Sequence, residues 1–160
     1  FKVDYEAKQS IGIHLKWDYI NRTVVCSMEG YVKNALEELE HIFPKKHYYG
    51  PSNTHPPTYG AKVQYVKEDL SKPLTPSQVK EVERIVGKFL YYARAIDNTM
   101  AHMMNHIGSQ KSKGTQKLMH AVTHFLNYAA SNPSAKIIYR KSDMLYKVDS
   151  DVAYLVCPDA

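Results

Sequence analysis

The segment "LTPSQVKEVERIVGKFLYYARAI", residues 74–96, contains the clearest helix start in the chain. Thr75 is a favourable N-cap, Pro76 suits the first helical position, and Gln78 stands three residues after Thr75, as in a capping box. Apolar residues then recur at steps of three and four, which predicts a long helix with one buried face. That face consists of Val79, Val82, Ile85, Val86, Phe89, Leu90 and Ala93.

Three more segments show the same helical period. They are "EGYVKNALEELEHIF" (29–43), which Pro44 ends, "DNTMAHMMNHIGS" (97–109), with a cap at Asp97 or Asn98 and a stop at Gly108, and "GTQKLMHAVTHFLNYAASNP" (114–133), capped at Thr115. We expect the central helices to share one core. Its predicted members include Phe89, Leu90, Leu118, Val122 and Phe125.

Strand signals lie on both sides of the helical middle. Residues 11–28 alternate apolar and polar residues around the polar turn "DYINR", which predicts a hairpin with Ile11, Ile13 and Leu15 on one side. Near the C-terminus, "AKIIYR" and "MLYKVDSDVAYLVC" predict a second hairpin around "KSD". Residues 44–60 are rich in Pro, Gly and Tyr and predict a loop, followed by one short strand at 61–67.

This order predicts an α+β chain: an N-terminal β-hairpin, a helical middle of about four helices, and C-terminal strands. Strands at both ends of a helical segment fit a fragment that spans two sheets better than one closed domain. The predicted division is 1–28, then 29–133 with the loop at 44–60, then 134–160. We therefore expect the chain to be a piece of a larger protein.

Composition limits the class of protein. A chain of 160 residues, 44% of them hydrophobic, can bury a core. Its apolar runs are too short to span a bilayer, and its charged opening differs from a signal peptide. We expect an intracellular protein, in the cytoplasm or nucleus, with no membrane partner. Cys26 and Cys157 provide no disulfide framework and are expected to be reduced thiols.

Positive charge is concentrated towards the C-terminus. Residues 1–43 carry five Lys or Arg against seven Asp or Glu, whereas residues 109–147 carry seven against Asp143 alone. Such a region is typical of proteins that bind phosphate backbones, and equally of surfaces that only keep a protein soluble. The candidate nucleic-acid-binding residues are Lys111, Lys113, Lys117, Lys136 and Arg140.

Histidines and tyrosines provide two further candidate sites. His102 with His106, and His120 with His124, are four residues apart on predicted helices, so each pair shares one face and could bind a metal. The alternative is that they are ordinary residues at the helix surface or core boundary. The thirteen tyrosines suit base stacking or, more commonly, packing at the core boundary.

Asp149 and Asp151 form the remaining candidate site. Carboxylates on a strand can hold Mg²⁺, but two-metal phosphoryl transfer needs three or four that converge from different elements. Only Asp159 follows them among the acidic residues. The pair is therefore either a solvated strand edge or the first part of a longer metal-binding motif.

The order of these motifs resembles the C-terminal half of the reverse transcriptase of copia-type LTR retrotransposons, running into the start of ribonuclease H. The similar segments are "IGIHLKWDYINRTVVCSMEGYVKNALEEL", "VGKFLYYARAIDNTM", "GTQKLMHAVTHFLNYAASNP" and "IIYRKSDMLYKVDSDVAYL". The resemblance covers nearly the whole chain, and the shared order of the motifs is more specific than any one of them.

The resemblance implies a palm-end hairpin at 1–28, a thumb and connection region at 29–133, and the start of ribonuclease H at 134–160. The implied partners are an RNA–DNA hybrid or duplex and the remaining polymerase domains. Asp149 would be the first ribonuclease H metal ligand, and Mg²⁺ is the family's cofactor. The family's Tyr-x-Asp-Asp turn and later acidic residues are missing here, so we expect no cofactor and no polymerase or nuclease activity in this chain alone. The alternative is a retroelement-derived helical module that binds protein through Tyr91–Tyr92 and Met100–Met104.

Overall fold

The computed structural model describes residues 4–53, 69–110, 113–143, 145 and 148. It confirms an α+β chain with strands first, helices in the middle and a strand at the end. In chain order the elements are β1 (Gln9–Ser10), β2 (Ile13–Asp18), β3 (Thr23–Ser27), α1 (Tyr31–Glu38), α2 (Pro76–Ala95), α3 (Ala101–Gln110), α4 (Gln116–Ser131) and β4 (Lys136–Arg140). The predicted strand at 61–67 lies outside the described residues, as does most of the second C-terminal strand at 144–157.

One antiparallel sheet contains all four strands, in the order β1-β2-β3-β4. The C-terminal β4 pairs directly with β3, with Cys26 opposite Ile137 and Val24 opposite Tyr139. The expectation that the two ends belong to different sheets is therefore wrong for β4. Physically, β3 would otherwise present an unpaired row of backbone donors and acceptors, and β4 satisfies them. The division of the chain at residues 28 and 133 stays a prediction.

The N-terminal hairpin forms as predicted between β2 and β3, with Asp18 opposite Thr23. Ile11, however, belongs to no strand. It lies with Gly12 in the two-residue turn between β1 and β2, where both residues have positive φ, +51° and +79°. A type I′ turn requires that geometry. The Tyr91 hydroxyl donates to the Ile11 carbonyl at 2.7 Å, which ties this turn to α2.

Helix α1 ends at Glu38, earlier than Pro44, because the backbone leaves the helix at Glu40, where φ is +52°. The His41 N–H donates to the Leu36 carbonyl and the Glu40 N–H to the Glu37 carbonyl, which is the Schellman arrangement. Arg84 donates to the Glu38 carbonyl, and Lys88 pairs with its carboxylate. Residues 42 and 43, at the end of the segment predicted to be helical, lie beyond the helix and are exposed.

Helix α2 has the predicted capping box: the Thr75 hydroxyl accepts from the Gln78 N–H at 3.3 Å, and the Gln78 side chain accepts from the Thr75 N–H at 3.0 Å. The helix buries the predicted face incompletely. Val82, Ile85, Phe89 and Ala93 are buried, while Val79, Val86 and Leu90 are half-buried.

Helices α3 and α4 complete the core. The rings of Phe89 and Phe125 meet edge to face, with their centroids 5.2 Å apart. Helix α3 continues past Gly108 to Gln110, because Gly108 does not adopt positive φ. The apolar residues buried here are Met100, Met103, Met104 and Ile107 before α4, and Leu118, Val122, Phe125, Leu126 and Ala129 on it. Leu118, Val122 and Phe125 are among the predicted core members.

The N-terminus of α4 differs from that of α2. Thr115 occupies the N-cap as predicted, but its side chain makes no capping hydrogen bond. The first-turn amides instead donate to the segment before α2, from Lys117 to the Ser71 hydroxyl and from Gln116 to the Lys72 carbonyl. Hydrogen bonds from the hydroxyls of Ser71 and Thr115 lower the pKa of the Asp69 carboxyl to about 2.

Candidate nucleic-acid interface

The predicted cations fall into two groups at opposite ends of α4. Lys113 and Lys117 are exposed near its first turn, whereas Lys136 and Arg140 are exposed on β4, beyond its last turn. A helix of this length spans roughly 22 Å at 1.5 Å per residue. The structure therefore does not bring the predicted cations into one cluster. Lys111 lies outside the described residues.

The β4 group belongs to the side of the sheet that faces away from the helices. Ile137 packs against the core, so its neighbours Lys136, Ile138 and Arg140 project to the other side. On β2 the same alternation places Lys16 on that side, because Leu15 packs against the core. We call this side the open face. It is the surface formed by Lys16, Val25, Lys136, Ile138 and Arg140. The same alternation places one carboxylate, Asp18, in the cross-strand row of Thr23 and Arg140.

The register gives the open face its spacing. Lys16 lies opposite Val25, and Val25 lies opposite Ile138, so one cross-strand row runs from β2 to β4. Neighbouring strands are about 4.8 Å apart, which places Lys16 roughly 10 Å from the β4 backbone. A groove of about 500 Å³ is lined by Lys16, Val25, Ser27 and Lys136 together with residues beside them. Two cations and one carboxylate, Glu29, thus line a partly apolar groove.

A second surface lies at one end of the sheet, where the β2–β3 turn meets the end of β4. We call it the end cleft; its volume is about 320 Å³. The Trp17 and Tyr19 rings lie on one side, nearly parallel, with centroids 6.2 Å apart and planes 9° apart. The Trp17 indole N–H donates to the Ala7 carbonyl at 2.9 Å and so fixes the ring. The lining residues are Trp17, Asp18, Tyr19, Arg22, Thr23, Val24, Tyr139, Arg140 and Lys141.

Charge in the end cleft is mostly positive. Arg22, Arg140 and Lys141 line it against one carboxylate, Asp18. The backbone N–H and side-chain amide of Asn21 donate to that carboxylate at 2.9 and 2.8 Å, and these hydrogen bonds hold the pKa of Asp18 below its usual value. Asp18 is therefore ionised at neutral pH and its oxygens are engaged in the turn. The cleft combines a fixed aromatic surface with an excess of cations.

The histidines occupy separate positions. His102, His106 and His120 are exposed, and His124 is half-buried, with its Nε2 3.0 Å from the Gly50 carbonyl and its ring against Tyr48. Within the part of the chain that the structure describes, no three His, Cys, Asp or Glu side chains are close enough to share a metal ion. The four histidines therefore do not converge. Asp149, the candidate ribonuclease H ligand, lies outside the described residues.

The surface required by the protein-binding alternative is not present as predicted. Met100, Met104 and Tyr92 are buried in the chain's own core, and only Tyr91 of that group is exposed, at 40%. The Tyr92 ring stacks on Tyr31 at 5.6 Å, and its hydroxyl accepts from the Ala135 N–H. These side chains hold the helices to the segment before β4.

The sequence interpretation missed several residues of the end cleft. Trp17 and Tyr19 alternate on one strand, and Tyr139 and Lys141 alternate near the other, which is the signal that was available. What the sequence does not give is the pairing of β3 with β4, which places Tyr139 in one row with Val24 and Trp17. The cluster depends on that pairing.

Among the described residues, no helix is both long enough and apolar enough to span a bilayer. Comparisons of the chain with protein-family models, with curated proteins and with solved structures give no match.

Proposed function

We propose that this chain binds the phosphate backbone of a duplex or RNA–DNA hybrid through the open face of its sheet. The observation that carries the proposal is the convergence of Lys16, Lys136 and Arg140 on one side of the sheet. Within the described residues none of these three side chains forms a salt bridge with a carboxylate. Cations without such partners are available to replace the counterions of a phosphate backbone.

Two features of the face suit this ligand. Its centre is formed by Val25, which is half-buried, and Ile138, which is 42% exposed, so the cations flank an apolar strip. Lys136 and Arg140 are four residues apart on β4, and Lys16 lies in the cross-strand row of Ile138, midway between them. This spacing suits contacts to several phosphates and not to base edges. Binding of this kind is weak and indifferent to sequence.

The resemblance to copia-type reverse transcriptases supports the same ligand. In that setting the chain is a template-primer-binding part of an intracellular polyprotein, and its partners are the hybrid and the other polymerase domains. We assign binding, and not chemistry, to this chain. Mg²⁺ belongs to the family's complete active sites.

The test is a titration of a labelled RNA–DNA hybrid with the protein at several salt concentrations. Three phosphate contacts predict a slope of log affinity against log salt of about −2.7, since each contact contributes about 0.9. The double variant Lys16→Ala/Lys136→Ala removes two of them and spares Arg140, which also lines the end cleft. Its slope should fall to about −0.9.

The matched control is Lys113→Ala/Lys117→Ala, which removes the same charge at the other end of α4. Its slope should stay near that of the unmodified chain. A control slope that falls as far as that of the sheet variant would place the footprint at the α4 N-terminus instead. A flat salt response of the unmodified chain would end the nucleic-acid proposal.

A further inference from the structure

Three exposed aromatic rings surround the end cleft. Trp17 is 43% exposed, Tyr139 57% and Tyr19 81%. Single exposed apolar residues are common, but a cluster that lines one cavity indicates a binding surface. Trp17 and Tyr19 present a paired, nearly parallel surface, and the hydrogen bond from Trp17 to Ala7 fixes its orientation before any ligand arrives. Pre-ordered rings of this kind lose little conformational freedom on binding.

Tyr139 lies on β4, which is separated from Trp17 on β2 by the strand β3. It shares a cross-strand row with Trp17 through Val24, two strand spacings or roughly 10 Å apart along the sheet. A planar ligand can therefore contact the Trp17–Tyr19 pair while its other parts contact Tyr139. The volume of about 320 Å³ is at the lower end of the range for small-molecule sites, which suits one planar group and not a larger cofactor.

The cations determine the charge of the ligand. Arg22 and Lys141 lie side by side, since the Lys141 N–H donates to the Arg22 carbonyl at 2.9 Å. Arg140 lies at the end of β4 and lines the same cleft. With Asp18 engaged by Asn21, these three cations favour an anion next to the aromatic rings. A planar aromatic group joined to an anion is the chemistry of a nucleotide.

We propose that the end cleft binds an unpaired nucleotide, with its base stacked on the Trp17–Tyr19 pair and its phosphate held by Arg22 and Lys141. The inference rests on the proposed function, because it names the single-stranded part of the same nucleic acid. Bases inside a duplex are stacked on one another and cannot present their faces to protein rings. Single strands and overhangs can, and base–aromatic stacking is their usual mode of recognition.

The experiment uses Trp17, the only tryptophan of the chain, as its reporter. Intrinsic fluorescence is followed while three probes of equal phosphate number are added: an oligothymidylate, the same strand with abasic sites in place of the bases, and a blunt RNA–DNA hybrid. The oligothymidylate should quench the fluorescence at saturation, and the abasic strand and the blunt hybrid should quench it much less. Equal quenching by intact and abasic strands would overturn the stacking proposal.

Variants locate the site. Tyr139→Ala should weaken binding of the oligothymidylate by about 5- to 150-fold, the range measured when a stacking aromatic residue is removed. The matched control is Tyr49→Ala, an exposed tyrosine that does not line the cleft, which should leave binding unchanged. Arg22→Ala should weaken the intact and abasic strands by the same factor, because it removes a phosphate contact only. Circular dichroism checks that each variant is folded.

The two proposals fail in different ways. If the hybrid binds with the expected salt slope but the oligothymidylate gives no base-dependent quenching, the open face stands and the end cleft is refuted. If Lys16→Ala/Lys136→Ala leaves hybrid binding unchanged while Tyr139→Ala weakens single-strand binding as expected, the cleft stands and the open face is refuted. Absence of binding to every probe refutes both.

Discussion

The two faces of the sheet are built from alternate residues of the same strands but face different surroundings. Ile13, Leu15, Val24, Cys26 and Ile137 pack with the helices. Their strand neighbours form the open face, which carries Lys16, Lys136 and Arg140. Because side chains alternate along a strand, one residue packs in the core and contributes to stability, while the next is exposed and available for binding. A substitution can therefore damage one property and leave the other intact, which makes the comparison testable.

The largest effect is expected in the core that covers the inner face. Phe125→Ala empties a fully buried site against Phe89 and should lower the free energy of unfolding by about 3 to 5 kcal/mol. Urea unfolding measures this change. The control is His120→Ala on the exposed side of the same helix, which should stay within about 0.5 kcal/mol. A loss below about 1 kcal/mol for Phe125→Ala would contradict the packing described.

Two adjacent isoleucines compare the faces directly. Ile137→Thr removes apolar packing from the inner face and should cost about 1 to 2 kcal/mol, since the residue is half-buried against the core. Ile138→Thr, one position later on the open face, should cost less than about 0.5 kcal/mol. Threonine keeps the β-branch in both variants, so strand preference changes little. Equal losses in the free energy of unfolding, measured with urea, would mean that both faces are buried.

A substitution of Ile11 should raise the free energy of unfolding, whereas the substitutions above lower it. The Ile11 side chain is 82% exposed while its backbone holds φ at +51°, a conformation that a β-branched residue adopts at a cost. Ile11→Asn should therefore raise the free energy of unfolding by about 1 kcal/mol, because Asn tolerates this region. Ile20→Asn is the control, as Ile20 is 95% exposed without positive φ and should show no gain.

The smallest effect concerns Asp69, which lies apart from both faces at the N-terminus of α4. Its folded pKa, about 2, is below the usual 3.8, so its ionised form stabilises the fold above about pH 4 and this contribution is lost as the pH falls towards 2. The melting temperature of the unmodified chain should therefore fall more steeply between about pH 4 and pH 2 than the melting temperature of Asp69→Asn. At pH 6 the variant should melt at a lower temperature. Parallel profiles would show that the Asp69 hydrogen bonds do not stabilise the fold.

Structural features that depend on residues close together in the chain could be predicted from the sequence. The Thr75–Gln78 capping box and the period of α4 depend on residues within a few positions of one another, and both appear as predicted. The end of α1 could not, because the Schellman motif forms around Glu40, where glycine is the usual residue. The cap of α4 comes from Ser71, far away in the chain.

The candidate surfaces were predicted in part. Lys136 and Arg140 were identified as cations, and the structure places them together on the open face. Counting charge by segment also grouped them with Lys113 and Lys117, which lie at the other end of α4. Lys16 and Trp17 were missed as candidates because they belong to the less basic N-terminal region. Only strand pairing brings these residues close to β4.

Strand β4 follows all four helices in the chain, yet its partner β3 precedes them. A pairing between such distant segments requires closure of a long loop, and contacts of this kind slow folding. The helices can shorten that search, because the Tyr92 hydroxyl holds the backbone of Ala135 immediately before β4 begins. The order of events we infer is therefore β2–β3 hairpin and helices first, β4 last. Until that final step, β3 remains an unprotected edge and the cleft between Trp17 and Tyr139 does not exist.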